Sequence, residues 1–123
     1  MIVAGIGMRS TAQQAQVHAA LKMSTHPIAA LACLEQRAAP LRPLAQQMGL
    51  PLFTLSEQQI AGVPTHTQSP RILARFATGS VAEATALAAL SPQTGQQTTR
   101  LIAPRWVSAC GHITIALAEG STK

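Results

Sequence analysis

Met1-Ile2-Val3-Ala4-Gly5-Ile6-Gly7-Met8-Arg9-Ser10-Thr11 opens the chain, and the fold is read outward from it. Ile2 to Ile6 is a short apolar run, as expected of a buried strand, and Gly5 and Gly7 close it in a tight turn. A helix is expected from Thr11 to Met23: Ser10 and Gln13 have capping-box spacing, and Val17, Ala20 and Leu21 form an apolar stripe. A glycine-rich turn between a strand and a helix directs backbone N–H groups toward an anion, and Arg9, Ser10 and Thr11 add side-chain donors. The competing reading is a tight turn with an ordinary N-cap. A dinucleotide fingerprint is incomplete, since Ser10 stands at the third glycine and only Glu35 lies near the required acid; with no Gly-Lys pair, a P-loop is excluded.

Downstream the pattern repeats. Pro27 to Leu34 reads as a second buried strand, and Leu41, Leu44, Ala45 and Met48 form the stripe of a helix that Gly49 ends. Leu50 to Leu55 is a third strand. Ser56 and Gln59 cap a short helical turn, and Gly62 to Gln68 is a loop. Ser69-Pro70 starts a helix with Ile72, Leu73 and Phe76, which Gly79 is expected to stop. Ser80 and Glu83 form a second capping-box pattern before an Ala-rich helix reaching Leu90. Ser91 to Thr99 is polar and turn-rich. Arg100 to Ala103 and His112 to Ala118 are strand candidates, joined by a loop with Arg105, Trp106 and Cys110, and suited to antiparallel pairing at one end of a sheet. Strand–helix alternation argues for right-handed crossovers. The expected fold is α/β, a three-layer α/β/α domain with a mostly parallel, mixed sheet of about five strands. It spans 1–119, with 120–123 a frayed tail.

With 123 residues the chain suits one core, and with 47% hydrophobic but 2% aromatic residues that core is built from Ala, Leu, Ile and Val. The four acids are all glutamates, Glu35, Glu57, Glu83 and Glu119. The missing Asp excludes an EF-hand loop, a kinase catalytic loop and an aspartic dyad. His18, His26, His66, His112, Cys33 and Cys110 are scattered without ligand spacing, so neither a metal nor a cofactor is expected. Two distant cysteines with no signal-peptide pattern read as reduced thiols in a cytoplasmic protein, and no apolar run is long enough for a membrane span.

A formal charge of +5 calls for an acidic partner. The arginines, Arg9, Arg37, Arg42, Arg71, Arg75, Arg100 and Arg105, are dispersed, and stacking aromatics are scarce, so a nucleic acid fits less well than a small polyanion. Arginine also favours bidentate contacts to carboxylate or phosphate. Among the remaining candidates, Glu83 reads either as a helix cap or as a general base. Ser69 and Ser80 lack a nucleophile elbow and are explained as N-caps. Cys33 and Cys110 lie in apolar surroundings that favour inert thiols, while His66 sits in a loop from which it could reach a ligand.

The turn Gly5 to Thr11, the segment Leu44-Ala45-Gln46-Gln47-Met48-Gly49-Leu50-Pro51-Leu52, the stretch Gly79-Ser80-Val81-Ala82-Glu83-Ala84 and the ending Ile113-Thr114-Ile115-Ala116-Leu117-Ala118 together resemble one family. It is the cobalamin biosynthesis family of CobE and the C-terminal domain of CbiG, and the resemblance runs from about residue 2 to 118. Without a preceding domain, the chain resembles the stand-alone CobE type. The resemblance implies an α/β/α domain in corrin-ring formation, with a precorrin or corrin polycarboxylate as ligand and other enzymes of the pathway as partners. By position, the family's first-loop pattern falls on Gly5, Gly7, Arg9 and Thr11, with Met8 and Ser10 inside it; its later helix start falls on Gly79, Ser80, Val81 and Glu83; and a basic residue falls on Arg105. Met8 replaces a cysteine usual in the family, a lysine after the second strand is replaced around Glu35 to Arg37, and the late lysine becomes Arg105.

The expectation is therefore a protein that binds or transfers a precorrin or corrin intermediate, with Gly5, Gly7, Met8, Arg9, Ser10, Thr11, Gly79, Ser80, Glu83 and Arg105 around it. The alternatives are a hydrolase of a precorrin lactone, as CbiG implies, with Glu83 as base, and a small basic nucleic-acid-binding module.

Overall fold

A computed structural model describes residues 1–9, 12–90, 98–108 and 113–121. Its five strands are β1 (Ile2–Met8), β2 (Ala30–Leu34), β3 (Leu52–Leu55), β4 (Thr98–Val107) and β5 (Ile113–Ser121), arranged β3-β2-β1-β5-β4. The pairs β1–β2 and β2–β3 are parallel, whereas β5 is antiparallel to both β1 and β4. The fold is the expected α/β architecture with a mixed sheet.

Alternation along the strands divides the core in two. Ala4, Ile6, Leu31, Cys33, Ile113, Ile115 and Leu117 meet α1 (Gln14–Leu21) and α2 (Arg42–Met48) through Val17, Leu21, Leu41 and Leu44. On the other face Val3, Ala30, Ala32, Leu34, Leu55 and Ala118 meet α5 (Val81–Ala89) through Ala86 and Ala89, together with Ile60 of α3 (Glu57–Ile60). Small residues on both sides bring α5 close to the sheet. At Gly5 an added Cβ would run into the Ala82 carbonyl oxygen, so this glycine serves helix–strand contact.

Several boundaries differ from the sequence expectation, each for a local reason. The first helix starts at Gln14, where the Gln13 amide donates to Gln16 Oε1 at 2.9 Å, so the box forms on Gln13 and Gln16 instead of Ser10 and Gln13. Ser10 and Thr11 themselves lie outside the described residues. The second and third strands begin only at Ala30 and Leu52. Gly49 ends α2 in the left-handed region, φ 69°, as expected. The helix α4 (Pro70–Phe76) stops at Ala77, φ 59°, before Gly79 is reached.

The largest difference is at β4, which includes Arg105 and Trp106 where a loop was expected. Two register shifts, between Leu101 and Ala103 and between Ala103 and Trp106, interrupt its pairing with β5. Each adds one residue, and the two together restore the alternation. An edge strand tolerates such bulges, and Pro104, which has no N–H to donate, falls within the second. Of the tail expected to fray, Gly120 and Ser121 belong to β5. The amide of Gly120 donates to Met1 O at 2.9 Å, and its carbonyl accepts from the Met1 amino group at 3.1 Å. Cys110, His112, the polar stretch 91–97 and residues 122–123 lie outside the described residues.

Candidate functional site

The winding of the sheet reverses at β1: β2 and β3 lie on one side, β5 and β4 on the other. A crevice at the carboxyl ends of the strands is expected at such a reversal. There the chain forms an open cleft of about 740 Å³, within the size range of small-molecule sites. β1 contributes Ile6, Gly7 and Met8, followed by Arg9; the segment after β2 gives Gln36 and Arg37; α4 gives Arg71, Ile72, Arg75 and Phe76; and the start of α5 gives Gly79, Ser80, Val81 and Ala82. Arg105 comes from β4 and Thr114 from β5.

Five of the seven arginines therefore converge, and no acidic side chain is among the described lining residues. Their commitments differ. The Arg9 and Arg71 guanidiniums have no hydrogen bond or ion pair to another described residue. Arg37 donates Nε to the Met8 carbonyl at 3.0 Å, which ties the turn after β2 to the end of β1. Arg105 donates Nε to Thr67 Oγ1 at 3.1 Å. Arg75 is engaged twice with Glu57, at 2.8 and 2.9 Å, and stacks over Phe76 at 4.5 Å.

Glu57 also accepts from Gln36 Nε2 at 2.9 Å, so it clasps α4 to the turn after β2. The Arg75 hydrogen bond, with a smaller contribution from Gln36, holds this carboxyl below its ordinary 4.5. A carboxyl lowered on folding contributes stability that is complete above the unfolded value and is lost as pH falls through the folded one. Glu57→Gln should therefore flatten the acid limb of a melting-temperature profile taken from about pH 6 to about pH 3, by a small amount because the pair is solvated.

The α5 start depends on close approach. Ser80 caps it, accepting from the Glu83 amide at 3.3 Å, and the Ala84 amide makes the first helical bond to Ser80 O at 2.9 Å. The Val81 and Ala82 amides precede that bond and belong to the cleft-lining turn. A Cβ on Gly79 would collide with the Thr67 carbonyl, so glycine lets loop 65–68 lie against the helix start. Over the same turn, a Cβ on Gly7 would lie 3.4 Å from the Ala82 nitrogen, an ordinary contact.

Two of the residues expected around the ligand do not line the cleft. Gly5 is enclosed between β1 and α5, below the cleft. Glu83, 2% exposed, is not among the lining residues, and its carboxylate, instead of closing the box at Ser80, accepts from the His66 and Thr67 amides, at 2.8 and 3.0 Å, and from Thr67 Oγ1 at 2.6 Å. The sequence box is thus half formed, because loop 65–68 supplies more donors than the cap would. Gly7, Met8, Arg9, Gly79, Ser80 and Arg105 all line the cleft. Sequence reasoning missed Arg37, Arg71, Arg75 and Thr67; the signal available was Arg71 and Arg75 at helical i, i+4 spacing on the Ser69-Pro70 helix. Cys33 is fully buried, and burial pushes its thiol up to about 11 against the opposing pull of Arg42, leaving it inert. No group of potential metal ligands exists among the described residues, nor a helix long and apolar enough to cross a membrane.

Residues 2–118 match the family model described as the cobalamin synthesis G C-terminus. Among solved structures, CobE, a protein from the cobalamin (vitamin B12) biosynthetic pathway, superposes with a TM-score of 0.80 at 24% identity, covering 98% of this chain and 92% of that one, a likeness of fold. The cobalamin biosynthesis protein chiG from Agrobacterium tumefaciens str. C58 is 30% identical with a TM-score of 0.69, covering 98% of this chain and 99% of its own. No curated protein matches the chain. On a family match that spans nearly the whole sequence, with a cleft at the site the fold prescribes, the chain belongs to the CobE and CbiG C-terminal domain family of cobalamin biosynthesis.

Proposed function

We propose that the protein binds a precorrin or corrin intermediate by its peripheral carboxylates and passes it between enzymes of the pathway. One observation carries this reading: five arginines rim a cleft with no acidic side chain among its described lining residues. A tetrapyrrole intermediate brings several carboxylates on a largely apolar ring. Guanidiniums suit the former, and the half-buried Ile72 and Phe76 offer apolar surface to the latter. Met8, Gly7, Gly79 and Ser80 complete the proposed shell, while Ser10 and Thr11 lie outside the described residues. The lactone-hydrolase alternative draws less support, because its base, Glu83, is buried behind the cleft lining and its carboxylate is occupied by three donors from His66 and Thr67. Clustering of the arginines around a cleft also disfavours the nucleic-acid reading, which needs an extended basic face.

Titration with cobyrinic acid, a corrin polycarboxylate, tests the proposal through the single tryptophan, Trp106, next to Arg105 in β4. Saturable quenching at micromolar ligand, weakened by salt, is the expected result. Its absence sinks the reading. Gly7→Ala is a sharper test of the cleft itself: the new methyl group meets only ordinary contacts but covers the Ala82 amide. Affinity should fall several-fold while the melting temperature stays within about 2 °C of the parent.

A further inference from the structure

Resting on the binding reading above, we infer that Thr67 is a positioning residue, which couples buried Glu83 to Arg105 and fixes the direction in which that guanidinium meets a ligand carboxylate. The chemistry of a single hydroxyl carries the argument. A threonine hydroxyl has one hydrogen and two acceptor lone pairs. Glu83 Oε2 takes the hydrogen at 2.6 Å, the shortest hydrogen bond in the loop, so toward Arg105 the oxygen acts only as an acceptor. Arg105 Nε–H fills that role at 3.1 Å. The carboxylate that polarises the hydroxyl is itself held by the His66 and Thr67 amides, so the relay starts from a fixed point on α5.

The consequence is directional. A guanidinium offers a bidentate face either from Nε with one terminal nitrogen or from both terminal nitrogens. With Nε given to Thr67, the two terminal nitrogens of Arg105 remain for the cleft. An exposed arginine on a bulged edge strand would otherwise sample many rotamers, and ordering it in advance lowers the cost of binding. Glu83 thus serves the site from outside it, through Thr67, without touching the ligand. This role also explains why the carboxylate abandons the Ser80 cap.

Thr67→Val, near in volume but without the hydroxyl, tests the relay, and Thr67→Ser, which keeps the hydroxyl, is the rescue. In the free protein, Thr67→Val should shift the Arg105 Nε–H resonance and speed its exchange with water, whereas Thr67→Ser should leave both near the parent values. An unchanged Nε–H in Thr67→Val overturns the inference, whether or not any corrin binds. With cobyrinic acid as probe, Thr67→Val should weaken binding roughly fivefold to tenfold and Thr67→Ser less than about twofold. In an Arg105→Ala background the same Thr67→Val change should add almost nothing. An equal loss in both backgrounds would assign Thr67 a purely structural role and overturn the inference. If the parent protein binds no corrin polycarboxylate, the binding reading falls, while the resonance measurement still decides the relay.

Discussion

Gly5→Ala is expected to cost about 3 kcal/mol or more, a large part of the roughly 5–15 kcal/mol that holds a domain of this size together. The added Cβ would run into the Ala82 carbonyl and stand 2.8 Å from both Ala86 Cβ and Ala86 N. These are mostly backbone atoms of α5, and no rotamer change relieves them. The helix would have to lift from the sheet, opening contacts that Val3, Ala30, Ala32 and Ala118 make with Ala86 and Ala89. At about 4 °C per kcal/mol, the melting temperature should fall by more than about 10 °C, read by far-UV circular dichroism. A shift of a degree or two would mean that α5 does not pack as described. Paired with Gly7→Ala, the result separates two glycines two residues apart: one closes the helix against the sheet, the other leaves the cleft floor open. Both appear in the sequence as the same glycine-rich turn.

That pair illustrates what a linear reading can reach. Strand–helix alternation was legible because each element carries its own signal: apolar runs at Ile2 and Leu31, a stripe at Leu41, Leu44 and Ala45, caps at Ser56, Ser69 and Ser80, and a left-handed Gly49. The second half of β4, beyond the expected Arg100 to Ala103, was not, because the two bulges and Pro104 break the period of two that marks a strand, and pairing with β5 outweighs local preference. The family resemblance led to the expectation that the first loop and the Gly79 segment lie together, and Gly7, Met8, Arg9, Gly79, Ser80 and Arg105 line one cleft. Glu83 shows the limit. Spacing from Ser80 identifies a cap, but the competing donors come from His66 and Thr67, which only the fold brings within reach. The arginines look dispersed for the same reason: the carboxyl ends of β1 and β2, the helix α4 and the bulged edge strand meet at one end of the sheet.

If the proposed polycarboxylate is the ligand, two double variants separate attraction by net charge from attraction by specific contacts. Arg9→Ala/Arg71→Ala removes two cleft guanidiniums with no partner among the described residues. Arg42→Ala/Arg100→Ala removes two outside the cleft, one on α2 and the other paired with Glu119 at 3.0 Å on the β4–β5 ribbon. Both variants lower the formal +5 by the same amount. A charge-assisted hydrogen bond contributes roughly 1.5–3 kcal/mol, so the cleft pair should lose about a hundredfold or more in affinity for cobyrinic acid. Its melting temperature should hold, because neither side chain is bonded to another described residue. The outer pair changes only the long-range field, which salt screens beyond about 10 Å, and should lose less than about threefold at 0.1 M salt. The salt dependence separates the two mechanisms further: it should flatten for the cleft pair, whose ion pairs are gone, and persist for the outer pair. Equal losses in both variants would reduce the cleft to a general basic surface, and the nucleic-acid reading would then regain its ground.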